Sequence, residues 1–175
     1  MSCNCNKKDM NIYFAKVKEG GKIPSKRDED AGYDIYACFN EDYIEIKPHE
    51  TKMIPTGIAS SCSDDFVFLL RERGSNGSKG IAQRCGVIDS GYRGEWFVPL
   101  TNENDVSVFI VKDNVDIPVI HYSNGKTSIS YPYTKGIAQA LVVPVPKMIV
   151  NEISYEELQK IESERGNGAL GSSGK

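Results

Sequence analysis

The stretch Gly86-Val87-Ile88-Asp89-Ser90-Gly91-Tyr92-Arg93-Gly94-Glu95-Trp96-Phe97-Val98-Pro99-Leu100 decides the fold. Two apolar runs flank a turn made of Asp, Ser and Gly. Short apolar runs bounded by such residues are strands, so the segment predicts a hairpin that returns as a strand over 96–100. Its tip brings an acid, Asp89, close to a phenol, Tyr92. Asp89 has two open readings there: it caps the turn through its own backbone, or it holds a water as a general base.

The same pattern extends in both directions. Residues 11–18, 43–46, 53–59, 66–70, 106–111, 115–121, 127–130 and 138–145 are further short apolar or alternating runs. Gly, Pro, Asn and Asp punctuate them at intervals of about 8 to 12 residues, the mark of an all-β sandwich or barrel. Asn124-Gly125 is a strong hairpin signal and places an inserted hairpin at 113–133. One short helix is predicted, with Ser154 as N-cap, Glu157 completing a capping box, and Tyr155, Leu158 and Ile161 on one face.

The chain has 175 residues, 39% hydrophobic and 26% charged, which suits one globular domain and excludes a mainly disordered chain. Its net charge of −3 argues against nucleic acid as a partner, since duplex binding needs clustered cations. No run approaches the roughly 20 apolar residues of a membrane span. Residues 1–9 lack the apolar core of a secretory signal and read as a frayed polar end. The five cysteines have no framework spacing, which predicts free thiols in a reducing cytoplasm. Cys3 and Cys5 lack the second pair that a zinc site needs.

Five segments carry chemistry. Ala31-Gly32-Tyr33-Asp34-Ile35 is a turn entering a strand. Arg71-Glu72-Arg73-Gly74-Ser75-Asn76-Gly77-Ser78-Lys79-Gly80-Ile81 joins glycines, hydroxyls and cations directly after an apolar strand, the composition of a flexible polar turn or of a loop that holds a small anion, without the order of a Walker loop. The third is the turn around Asp89. Ile137-Ala138-Gln139 sets an amide in an apolar strand. The tail from Arg165 to Lys175 is a Gly/Ser stretch headed by an arginine, the composition of a flexible end or of a lid that closes on an anion.

In this order the five segments resemble the motif series of the trimeric dUTP pyrophosphatases (dUTPases), from Ala31 to the C-terminus. The resemblance implies a jelly-roll-like all-β barrel over 1–164 and a flexible C-terminal arm at 165–175. It implies a homotrimer whose sites take motifs from two subunits and the arm from the third. The implied reaction is hydrolysis of dUTP to dUMP and pyrophosphate by attack on the α-phosphorus, with Mg²⁺ on the triphosphate.

Residue by residue, the resemblance implies that Asp89 activates the water and that Tyr92 packs beneath the deoxyribose, refusing ribose. Backbone groups of Gly86, Val87 and Ile88 read the uracil edge, with Gln83 a candidate neighbour. Arg73 and Ser75 bind phosphate, and Gly74 and Asn76 offer backbone donors. Gln139 and Asp34 lie around phosphate and metal-bound water, Asp34 touching the metal through water only. Arg165, Gly171, Ser172 and Ser173 close over the β- and γ-phosphates. Leu170 covers uracil where the family has an aromatic ring, and Gly136 stands where the family has an arginine. Two alternatives accompany this reading. A dCTP deaminase or a bifunctional deaminase–dUTPase of the same superfamily needs a glutamate on the strand at 96–100, where only Glu95 borders. A silent interaction module has no need of Asp89, Tyr92 and Arg165 together.

Overall fold

A computed structural model of the chain describes residues 10–168. The expectation of a frayed N-terminus, and the arm residues Leu170, Gly171, Ser172 and Ser173, lie outside the described residues. In chain order the strands are β1 (Ile12–Lys16), β2 (Tyr33–Tyr36), β3 (Tyr43–Ile46), β4 (Thr51–Pro55), β5 (Ile58–Cys62) and β6 (Phe66–Arg71). A single helical turn α1 (Gly74–Gly77) precedes β7 (Ile81–Gln83), β8 (Val87–Ile88), β9 (Phe97–Asn102), β10 (Val108–Val111), β11 (Ile129–Pro132) and β12 (Gly136–Pro144). Helix α2 (Tyr155–Gln159) follows. The fold is all-β and jelly-roll-like, with two short helices among the described residues where the sequence predicts one.

The residues up to Val145 form one compact unit, and those from Pro146 form a second. In the first, the strands are ordered β1-β5, β11-β10-β3, β2-β12-β6-β8 and β4-β9-β7. The core lies between these sheets. Trp96 and Phe68 are fully buried and meet edge-on with ring centroids 5.1 Å apart. Phe14 packs on both. All four residues of β10 are buried, and β10 pairs on both sides, antiparallel to β3 and parallel to β11. A strand with neighbours on both edges and both faces covered needs a continuous apolar run, and Val108-Phe109-Ile110-Val111 is one.

Three expectations change. The run 53–59 is two strands, because Gly57 adopts φ +67 and turns the chain between β4 and β5. The run 115–121 is not a strand. Its residues serve the crossover that a parallel β10–β11 pair requires, and the Asn124-Gly125 turn closes only an isolated bridge between His121 and Thr127. The expected hairpin at 86–100 is a sheet-to-sheet connection: β8 pairs with β6, while β9 pairs with β4 and β7.

In the second unit, α2 begins as predicted. The Ser154 side chain accepts from the Glu157 N–H at 3.2 Å, and the Glu157 carboxylate accepts from the Ser154 N–H at 2.9 Å. The bonds that the carboxylate accepts, first from the Ser154 N–H and then from the Ser154 hydroxyl at 2.9 Å, lower the Glu157 pKa. Cys38, Cys62 and Cys85 are free thiols. Burial pushes the Cys38 thiol above its ordinary pKa.

Candidate active site

Nine of the predicted residues line two separate clefts of one chain, five in one and four in the other, while Gly86 lines another with Cys85 and Leu70. The larger, of about 930 Å³, is lined by Asp34, Arg73, Gly74, Ser75 and Gln139 together with the loop from Ser25 to Gly32. The smaller, of about 250 Å³, is lined by Val87, Ile88, Asp89 and Tyr92 with Met53, Glu95 and Phe97.

The larger cleft is built by β2, β6 and β12. Gln139 pairs with Asp34 on one side and Arg71 on the other, so the first, second and fourth motifs share one sheet. Arg73, two residues past β6, turns back over that sheet. Its Nε lies 3.0 Å from Asp34 Oδ1, its Nη2 donates to Asp34 Oδ2 at 3.3 Å, and its Nη1 donates to the Gly136 carbonyl at 3.0 Å. A guanidinium has five N–H groups in a rigid fork. Nη1 and Nη2 each spend one N–H in these hydrogen bonds and each keep one for an oxyanion. The Gln139 amide donates to the Glu72 carbonyl at 2.9 Å. Gly32 permits this packing, since a Cβ there would lie 2.8 Å from Gln139 Oε1.

Gly136 lies tight against the pair of Arg73 and Asp34. A Cβ at 136 would stand 3.3 Å from Arg73 Cδ, Arg73 Nε and Asp34 Cβ. Arg73 itself pairs with the Asp34 carboxylate. Asn76 spends its backbone N–H on the Arg73 carbonyl at 2.9 Å and its side chain is buried. It builds the turn that presents Arg73, Gly74 and Ser75. Beyond the motif residues, Arg27 holds Asp30 in a two-pronged pair at the cleft mouth, which lowers the Asp30 pKa.

The smaller cleft is shaped by the turn after β8. The Tyr92 N–H donates to the Asp89 carbonyl at 3.0 Å, and the Tyr92 hydroxyl donates to the Glu95 carbonyl at 3.0 Å. Asp89 is exposed and Tyr92 is 45% exposed. Glu95 anchors the turn to the core: its carboxylate accepts from the Gly57 N–H at 2.9 Å and pairs with Lys18 at 2.9 Å. Upstream, Gln83 donates its amide to the carbonyls of Arg84 and Cys85 at 2.6 and 2.8 Å, shaping the approach to β8. Gly86 follows at φ +138, where a Cβ would meet the Leu70 carbonyl at 2.7 Å. β8 is the last strand of its sheet, so one of its edges has no strand neighbour.

Arg165 lies in the second unit, where its Nε donates to the Gly168 carbonyl at 3.0 Å. The sequence reading passed over Tyr131, whose phenol is buried against Asn76 and Gly136. A lone tyrosine outside every motif carries no signal of that contact. Among the described residues no group of three or more His, Cys, Asp or Glu side chains is placed to hold a metal. No helix there is long and apolar enough to cross a membrane.

Residues 18–115 match the family model for dUTPase. A deoxyuridine 5'-triphosphate nucleotidohydrolase of Wolbachia pipientis subsp. Culex pipiens is 33% identical over 174 residues, covering 95% of this chain and 97% of the relative. The dUTPase of Staphylococcus bacteriophage 80alpha in complex with dUPNHPP superposes with a TM-score of 0.73 at 24% identity, over 95% of this chain and 99% of that one. A dUTPase from phage phi11 of S. aureus, described with a structural Mg(II) ion, superposes with a TM-score of 0.62 at 23% identity, over 82% and 96%.

Proposed function

The chain belongs to the dUTPase family and is a dUTP diphosphatase, and we propose that it works through a site assembled from the two clefts of different subunits. Asp89 orients and deprotonates a water that attacks the α-phosphorus of dUTP, releasing dUMP and pyrophosphate. The single observation that carries the composite site is the separation of Asp89 and Arg73 into distinct clefts of one chain. Neither cleft alone joins a water-activating carboxylate to the phosphate-binding turn. A homotrimer, with one subunit's Asp89 facing another's Arg73, supplies both.

In the base half, the edge of β8 that has no strand neighbour offers backbone donors and acceptors to uracil. Cytosine reverses the pattern at its 4-position and leaves buried groups unpaired, at about 1–3 kcal/mol per group. Tyr92, tethered through its hydroxyl, presents its ring to the deoxyribose. In the phosphate half, Arg73 is held by Asp34 and Gly136 with two N–H groups to spare. Gly74 and Ser75 head the turn beside it. Arg165 and the residues beyond it, including Leu170, Gly171, Ser172 and Ser173, close the arm over base and phosphates. Most of the rate enhancement then comes from positioning and charge neutralisation.

The donor chemistry fits a Mg²⁺ that arrives on the triphosphate. The phosphate cleft offers Asp34, its carboxylate already shared with Arg73, and no cluster of three acids holds an ion among the described residues. That suits an ion that keeps several waters and meets Asp34 through one of them. Asp34 would hold such an ion, which would supply neutralisation of phosphate charge. Glu95 weighs against a deaminase, because its carboxylate is engaged by Gly57 and Lys18.

The experiment is dUTP turnover by wild type and Asp89→Asn. The variant loses at least about 10²-fold in kcat while still binding a non-hydrolysable dUTP analogue. Full activity in Asp89→Asn would overturn the assignment, and ammonia released from dCTP would favour the deaminase.

A further inference from the structure

We propose that Tyr131 is a positioning residue for the triphosphate: its buried hydroxyl fixes the turn Gly74–Gly77 through Asn76 and fixes Arg73 through the Gly136 carbonyl. This rests on the reading of Arg73, Gly74 and Ser75 as phosphate ligands. The distances are short and the surroundings dry. The Tyr131 oxygen lies 2.6 Å from Asn76 Oδ1 and 2.7 Å from the Gly136 carbonyl oxygen. Tyr131 is 2% exposed and Asn76 is 1% exposed. The Asn76 amide then donates to the Ile137 carbonyl at 2.7 Å. One side chain from β11 and one from α1 are thereby bonded to each other and to successive carbonyls of β12.

The device ends on phosphate-binding groups. The Gly136 carbonyl that Tyr131 approaches also accepts from Arg73 Nη1 at 3.0 Å. The Asn76 backbone N–H and the next one, of Gly77, both donate to the Arg73 carbonyl. Arg73 is thus fixed at its backbone by the turn and at its head by Gly136 and Asp34, and Tyr131 reaches both supports. Lys79, just past the turn, lies over the Tyr131 ring at 5.6 Å. A phenol has one hydrogen to donate, and the Gly136 carbonyl keeps its bond from Arg73 Nη1, so removing the hydroxyl leaves the buried Asn76 Oδ1 without its short contact. The ring still fills the core, so the turn loosens while the sheet stands.

The test compares two probes on the full-length protein. One is α,β-imido-dUTP, which engages the phosphate half. The other is deoxyuridine, which engages the base half alone, read as a competitive inhibitor of dUTP hydrolysis. Tyr131→Phe is expected to weaken the analogue about 5- to 10-fold and to change deoxyuridine inhibition by less than about 2-fold. Asn76→Ala, which removes the side-chain partner that the Tyr131 hydroxyl reaches, is expected to give the same split, and it decides the matter if Tyr131→Phe does not fold. Equal loss for both probes, or no loss for either, overturns the positioning role. A wild type that neither hydrolyses dUTP nor binds the analogue overturns the reading of the site itself, and the inference with it.

Discussion

Gly57 shows how one residue serves both fold and site. Its φ of +67 turns β4 into β5, its N–H holds the Glu95 carboxylate, and a Cβ there would lie 2.7 Å from Cys38 Sγ. Gly57→Ala is therefore expected to cost about 1–3 kcal/mol, read as a lower Tm. Activity falls with it only to the extent that the turn around Asp89 shifts. An unchanged Tm would show that the left-handed turn is not a constraint. Phe68 makes the opposite case of a side chain given wholly to packing, although its strand pairs with Ile88 of β8. It is fully buried between Phe14 and Trp96, so Phe68→Ala is expected to cost about 3–5 kcal/mol in a denaturant titration. At the arm, Leu170→Phe restores an aromatic surface over the base. The expected outcome is a lower KM for dUTP, and unchanged kinetics would remove Leu170 from the base-covering group.

Among the elements, the segment between β10 and β11 makes the clearest demand. A parallel pair needs a crossover of a dozen or more residues, and 113–128 supplies it. Replacing 113–128 by a four-residue turn is expected to abolish the β10–β11 pairing, pull Tyr131 out of the core and lower phosphate affinity. A shortened protein with wild-type Tm and KM would contradict this. Much of the fold was legible beforehand. Strands at 43–46 and 66–70 and the Ser154 capping box were readable because alternation and capping are local. Strand partners were not. Alternation reports which face is buried, not which neighbour buries it, so 86–100 read as a hairpin although its strands join different sheets. The apolar residues at 115–121 read as a strand for the same reason. The one-turn helix at 74–77 was hidden by glycines, poor helix formers held here by Asn76 and Tyr131.

For the whole molecule, the motif residues were legible as a set, but their division between two clefts was not, since spacing along the chain says nothing about which cleft a motif enters. That division carries the central claim, that each working site borrows Asp89 from one subunit and Arg73 from another. The most direct measurement is complementation between two inactive variants, Asp89→Asn and Arg73→Ala, unfolded together and reassembled in equal amounts. In a cyclic trimer with shared sites, every mixed assembly holds one site with both residues intact. The mixture is then expected to recover about a quarter of wild-type dUTP turnover. Recovery no greater than the mean of the two variants alone would place the whole site within one chain and contradict the account.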